Sequence, residues 1–378
     1  MEATRIGASR MEASSAPNGH ALRDLLTPEA KLMIACARID RSDKVRRAVR
    51  ARLNPPLDWA YIRRHAARHG LEPQLHRHLA EHEALVPSET LRHFSKTARQ
   101  AAFRNMRQLH ELLRIVEALE EQNVPVIPFK GPVLAALAYG DVAVRPFVDL
   151  DLLVAREDVL RAKEYLVQEG YEPVQDMTPG EEAAFIAAQH GYEFVHPESG
   201  FVVEVHWAFF FEIYAFDLTP DEIWDRHHTT TLSGTSVRTL APEDLFIYLC
   251  THGTKHRWMR LKWIADVAAF IQSQPDLDWE VVMRRARRTG TARMVRLGGY
   301  LAHQLLEAPV PPNVLRAAQT SRTVRAMAAR ICDEWLFREP DAPHTPDWDV
   351  FWFHVKERER WRDRWPYIKH HLKLWLPG

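Results

Sequence analysis

The stretch from Val124 to Val154, VPVIPFKGPVLAALAYGDVAVRPFVDLDLLV, leaves this chain few ways to fold. Val124 to Phe129 reads as a short β-rich run, and Lys130-Gly131 as a tight turn. Pro132 follows where a helix begins, a place that tolerates proline because the first helical N–H groups have no partner anyway. Val133 to Tyr139 is apolar and helical, with Gly140 as its C-cap. Val148 to Val154 is a second strand. Side chains alternate across a strand, so Asp149 and Asp151 share one face while Leu150 and Leu152 point into a core. Two carboxylates side by side at the end of a buried strand are costly unless something positive neutralises them. A divalent cation that favours oxygen ligands, as Mg²⁺ does, meets that need.

Around this stretch the pattern divides the 378 residues into several units, since one ordinary core does not grow so large. Residues 1–24 lack the apolar core of a signal peptide and read as a disordered leader. Residues 25–123 are helical: Thr27-Pro28 starts one helix, Asp58 caps another that Gly70 ends, and Ser88 to Gln122 carries Leu109, Leu112, Leu113, Val116 and Leu119 at helical spacing. His65 and His69, four apart, read as solvated surface histidines because no carboxylate or third ligand accompanies them. Residues 124–240 alternate strand and helix. In them Tyr192 to His196 and Phe201 to Phe209 form a hairpin across Pro197-Glu198-Ser199-Gly200. Glu204 and His206 lie on one face of its second strand, with Val203 and Val205 on the other.

Residues 241–338 are all helical: Pro242 to Gly253, Leu261 to Ile271, Asp278 to Thr289, Ala292 to Leu306, and one more from Pro311 to about Phe337. Residues 339–378 comprise a proline-rich linker and a Trp/Arg-rich helix. Its tryptophans, among them Trp352, Trp361, Trp365 and Trp375, read as packing residues, and the interleaved Glu357, Glu359 and Asp363 make it a solvated packing helix.

The 50 basic and 50 acidic residues balance, so no bulk attraction to nucleic acid is expected. Cys36, Cys250 and Cys332 are far apart, which argues against a disulfide framework or a thiolate zinc site and fits a reducing cytoplasm. No apolar run reaches the roughly 20 residues a membrane span needs.

The chemistry these residues suit is nucleotidyl transfer, which uses carboxylates that hold a pair of cations against a triphosphate. Asp149 and Asp151 supply two ligands, and Glu204 on a nearby strand a third. Lys130-Gly131, before a helix, offers a cation and free backbone N–H groups to phosphate, and Gly131 lets phosphate approach the backbone. The chain resembles the nucleotidyltransferase superfamily of the DNA polymerase β type. Within it, the chain resembles the uncharacterised bacterial nucleotidyltransferase family with a strand ending in Lys-Gly, then Tyr-Gly-Asp, an Arg, and Asp-x-Asp-Leu-Leu-Val. Those residues are here Lys130-Gly131, Tyr139-Gly140-Asp141, Arg145 and Asp149 to Val154. Glu204-Val205-His206-Trp207 is similar to the family's acidic-x-His-Trp strand, and His252 to Trp258 with Arg260 to Ile264 and Asp266 to its second block.

The resemblance implies an α+β fold: a small mixed sheet flanked by helices, an N-terminal helical region, and a helical domain that closes over the nucleotide. It implies a Mg²⁺ (or Mn²⁺) site and an NTP. The acceptor, a small molecule, peptide or protein, stays open, as does the oligomeric state. Arg145 is either a phosphate or substrate contact or the partner of the acidic cluster. His206 reads as a packed or hydrogen-bonded strand histidine, and Tyr139 as core. His252 and Lys255 either face the nucleotide or, with His256 and Arg257, form a cationic helix end. Asp266 is too far along to complete a metal motif with His252 and His256. Where the wider superfamily has Gly-Ser or Gly-Gly, this chain has Lys130-Gly131; a lysine there grips phosphate or neutralises the carboxylates instead. The second outcome leaves a nucleotide- or partner-binding module without transfer.

Overall fold

The computed structural model describes residues 21–24, 26–209, 220–339 and 347–375. Most of the expected leader and nearly all of the expected linker lie outside them. Helices come first: α1 (Ala21–Asp24), α2 (Pro28–Cys36), α3 (Asp43–Arg52), α4 (Trp59–His69), α5 (Glu72–Leu79) and the long α6 (Ser88–Glu121). α1 falls within the residues assigned to the leader, and its Leu22 is buried. Local chemistry sets several helix ends. Thr27 Oγ1 accepts from the Ala30 N–H (3.2 Å) with Pro28 at the first helical position. Asp58 Oδ1 accepts from the Tyr61 N–H (2.9 Å), and Gly70 closes α4 with a left-handed φ of 65°.

The central part runs β1 (Val126–Pro128), α7 (Gly131–Tyr139), β2 (Asp149–Val154), α8 (Val159–Gln168), β3 (Glu172–Pro173), α9 (Pro179–Ala188), β4 (Gly191–Val195) and β5 (Val202–His206). These strands make one mixed sheet in the order β1-β2-β5-β4-β3. β2 and β5 are parallel, and the other neighbours are antiparallel. The register sets Asp151 opposite Glu204, and Glu204 opposite Glu193 on β4. Then come α10 (Pro220–Arg226) and a separate hairpin, β6 (His228–Leu232) with β7 (Thr235–Thr239), which the sequence reading does not contain.

The rest is helical: α11 (Pro242–Lys255), α12 (Leu261–Ser273), α13 (Trp279–Thr289), α14 (Ala292–Leu306), α15 (Pro312–Thr320), α16 (Arg322–Arg330), α17 (Asp347–Glu357) and α18 (Trp361–Trp375). The single helix expected from Pro311 to Phe337 is thus broken. Ser321 ends α15 and caps α16, accepting from the Val324 N–H at 3.3 Å. Among the described residues no helix is long and apolar enough to cross a membrane.

The two faces of the sheet do different work. Leu150, Leu152, Val203, Val205 and Phe194 pack with Leu112, Ile115 and Leu119 of α6 and Leu166 of α8. On the opposite face Ile127, Phe129 and Leu153 join a core shared with the N-terminal helices and with α11, α12 and α14. The fold is therefore α+β, with a mixed sheet between two helical regions that share one core.

Two expectations about burial need correction. Trp348, Trp352, Trp361 and Trp365 are exposed rather than packed, because α17 and α18 meet through a small cluster of Phe351, Val355 and Tyr367. His65 and His69 are buried rather than solvated. His65 stacks on Tyr61 (4.0 Å between ring centroids), and His69 meets the edge of Phe337 (5.0 Å).

His69 Nδ1 accepts from the N–H of Leu261, the first residue of α12, at 3.1 Å. The ring must therefore be neutral to do this. Burial, helped by His65, Arg68 and Arg260, pushes its pKa down to about 3 from 6.5. The unfolded chain takes up a proton below pH 6.5 that the fold refuses. This stabilisation is thus complete above 6.5 and is lost as pH falls toward 3, at about 1.4 kcal/mol per pH unit. His69→Gln keeps an acceptor without the titration. Urea unfolding of both proteins at pH 7.5 and 5 is expected to show a smaller acid loss in the variant; equal losses would remove His69 from the account.

Candidate active site

The turn from β1 into α7 puts Lys130 against β2. Phe129 donates its N–H to the Asp151 carbonyl (3.3 Å), which extends the strand pairing to the turn. Gly131 then turns with a φ of 50°, and a Cβ on it would lie 3.0 Å from the Asp149 carbonyl oxygen. A left-handed residue this close to backbone has to be glycine. Gly131→Ala is accordingly expected to lose about 1–3 kcal/mol of stability. Unchanged urea denaturation would show that the turn relaxes.

Lys130 Nζ lies 2.5 Å from Oδ1 of Asp151, whose side chain is wholly buried. It also lies 5.8 Å from the ring centres of Phe129 and of Tyr248 on α11. Burial pulls the lysine pKa down, but Asp151, with Tyr248, Asp149 and Glu204 beyond it, holds it well above its ordinary value. Lys130 is therefore a fixed cation.

His206 completes the centre. Its Nε2 is 3.3 Å from Asp151 Oδ1 and 3.1 Å from Glu204 Oε2. Burial lowers its pKa, yet the two carboxylates raise it above the ordinary value. The same contact with His206 is the main cause that keeps Glu204 below its own, against burial. Donor atoms of Asp151, Glu204 and His206 all fall within 4.8 Å of one another, the one such group among the described residues. Oδ2 of Asp151 is buried without a hydrogen bond, an arrangement that calls for a ligand. Two carboxylates suit a divalent cation, and His206 would add a nitrogen ligand once it gives up its proton. The residues present therefore fit one, although they do not select Mg²⁺ over Mn²⁺.

Asp149 is on the same face, half-buried at the start of β2, but is outside that tight group. Its charge reaches Lys130, Glu204 and Arg145. Glu193, a further carboxylate on this face that sequence reasoning missed, is pushed up by burial, Glu204 and Asp149. The hairpin register was the signal that could have found it, since Glu193 faces Glu204.

Helix α11 roofs the site. Tyr248, His252 and Lys255 recur at intervals of four and three and so share one face. Tyr248 was also missed, and that spacing was its signal. The Tyr248 hydroxyl is 3.4 Å from His252 Nδ1, and its ring meets Phe129 edge-on at 5.2 Å. Burial, with Lys130, His256 and Lys255, holds His252 well below its ordinary pKa, and His256 falls to about 4. The two histidines are neutral at pH 7, so the helix end is not the fully cationic cluster the sequence allowed. Lys255 lies in the fields of Lys130 and Glu204.

Arg145 stands elsewhere. Its partner is Asp266 of α12, not the acidic cluster: Nε to Oδ1 is 2.7 Å and Nη2 to Oδ2 is 2.9 Å. The Tyr139 hydroxyl donates to the same Asp266 Oδ1 at 2.9 Å. Asp266, set aside as a metal ligand, is the buried anchor between the sheet region and α12.

No curated protein matches the sequence. Two solved structures are similar at low identity. The antibiotic-resistance factor ANT(2'')-Ia is 15% identical, over 49% of this chain and 91% of that one, with a TM-score of 0.34. An antigenic nucleotidyltransferase-like protein from Paracoccidioides brasiliensis is 17% identical, over 55% of this chain and 96% of that one, also at 0.34. The family profile described as uncharacterised nucleotidyltransferase matches residues 55–307, about two thirds of the chain and the whole of the sheet with its roof. The chain thus belongs to the uncharacterised nucleotidyltransferase family.

Proposed function

We propose that this protein transfers a nucleoside monophosphate from an NTP to an acceptor hydroxyl or phosphate, with Mg²⁺ or Mn²⁺ held by Asp151 and Glu204 and with Asp149 as a further ligand. The observation that carries this reading is the Asp151–Glu204–His206 group, built from two parallel strands beneath a fixed lysine. A divalent cation there would stabilise the charge that builds at the α-phosphate and make the acceptor oxygen easier to deprotonate. Glu204, kept ionised by His206, helps take the acceptor proton. The acceptor oxygen bonds to the α-phosphorus, the bond to the β-phosphate oxygen breaks, and pyrophosphate leaves. Lys130 and the backbone at Gly131 position the triphosphate, and Lys255 and His252 approach it from α11. In this scheme Arg145 acts through Asp266 and positions the strand that follows it.

One observation favours a second reading. Lys130 sits on Asp151 where a cation would sit, as expected of a binding module in which the lysine has replaced the metal. Thermal unfolding with each of the four NTPs, with and without Mg²⁺, separates the two. A ligand at about 100 times its dissociation constant adds about 2.7 kcal/mol to the folded state. A shift that needs Mg²⁺, together with pyrophosphate release once an acceptor is supplied, is the expected result. An NTP shift indifferent to Mg²⁺ supports the binding module.

A further inference from the structure

A cleft of ≈ 500 Å³ opens between Gly70 at the end of α4, the middle of α6, and the loop from Pro146 to Val148. Four cations line it: Arg68, Arg104, and Arg260 and Lys262 from the start of α12. Among the described residues, none of the four has a carboxylate within ion-pair distance. Glu72, also on the wall, is drawn to His93 at 3.5 Å. Three of the cations are nevertheless held in place by uncharged groups. Lys262 Nζ donates to the Pro146 carbonyl at 3.1 Å, Arg68 donates to the Arg338 carbonyl, and Arg260 lies 5.8 Å from the Trp263 ring centre.

Gly70 makes the room for this. A Cβ there would lie 3.2 Å from Lys262 Cδ, at a φ of 65° that disfavours any side chain. Two of the cations also stand at a helix N-terminus, where the backbone dipole repels them. Like charges fixed together at such a place are unfavourable alone and favourable around an anion. Burial, Arg145 and Arg260 together bring the Lys262 pKa down to about 8, against Asp266 and Asp149. That is the mark of a cation short of counter-charge.

We propose that this cleft is a second ligand site, separate from the Asp151–Glu204–His206 group, and that it takes the phosphate group of a small molecule. Its volume suits a metabolite and not a folded macromolecule. Val148 on its wall directly precedes Asp149, and Lys262 lies in the field of Asp149, so the two sites adjoin. As the seat of the acceptor, the cleft rests on the transfer reading above; as an anion site it stands without it.

The test is calorimetric titration of inorganic phosphate at constant ionic strength with EDTA present. Phosphate is expected to bind the wild-type protein, to bind Asp151→Asn equally well, and to bind an Arg104→Gln/Arg260→Gln variant about tenfold or more weakly. No binding, equal binding by the double variant, or loss of binding in Asp151→Asn would each overturn the proposal. Titration with Mg·NTP then identifies the source of the phosphate. Unchanged NTP affinity in the double variant leaves the cleft to the acceptor. A parallel loss makes it the triphosphate's seat and overturns a second site. Phosphate binding as expected in a protein that binds no NTP would sink the transfer reading and leave the cleft standing.

Discussion

Asp151→Asn is expected to abolish Mg²⁺-dependent nucleotide binding and to lower turnover on the order of 10³-fold or more. Cation contacts with a transferring phosphoryl group contribute several kcal/mol, and each 1.4 kcal/mol is a factor of ten in rate. Asn keeps the volume and one oxygen but loses the charge that both Lys130 and His206 contact. The change also leaves Lys130 buried without its main partner, which destabilises the fold. The double variant Asp151→Asn/Lys130→Met removes the stranded lysine charge and so tests the stability part. Stability is expected to recover, measured by urea unfolding, while turnover does not. Turnover of the single variant within tenfold of wild type would remove Asp151 from the mechanism.

Arg145→Met is expected to cost about 3–5 kcal/mol of stability, because it strands the Asp266 carboxylate in the core. Both partners are nearly inaccessible, and the pair is bidentate, with Tyr139 bonded to the same oxygen. Arg145→Met/Asp266→Leu removes both charges and is expected to recover much of the loss. Denaturant titration measures both changes. NTP affinity of the folded single variant is expected to stay near that of wild type. A loss of affinity at unchanged stability would instead restore the phosphate contact the sequence allowed.

What could be read from the sequence was local. The alternation of Asp149 and Asp151 with Leu150 and Leu152 placed the acidic face, because strand periodicity depends on no distant neighbour. The caps at Thr27, Asp58 and Asp278 were legible for the same reason. Burial of His65 and His69 was not: Phe337 and Leu261, which cover or bond them, are far along the chain. Arg145 had an acidic cluster close in sequence, and only the fold could offer Asp266 in its place. The β6–β7 hairpin did have a signal, Ser233-Gly234 between β-branched runs. Its apolar alternation is thin, since only Leu232 and Val237 of it join the core behind the sheet. The tail tryptophans misled because tryptophan was equated with burial.

The Arg145–Asp266–Tyr139 anchor also bears on how readily the helices part from the sheet. It ties the sheet region to α12, and the core around Phe129 continues into α11. To swing the helices off the sheet, the molecule has to break that anchor. A state 3 kcal/mol or more above the ground state is populated on the order of 1% or less. Opening of the helices off the sheet is therefore rare while Arg145, Asp266 and Tyr139 stay paired. The buried cluster that holds Phe129 continues through Leu240 and Leu245, on either side of the boundary the sequence pattern suggests near residue 240.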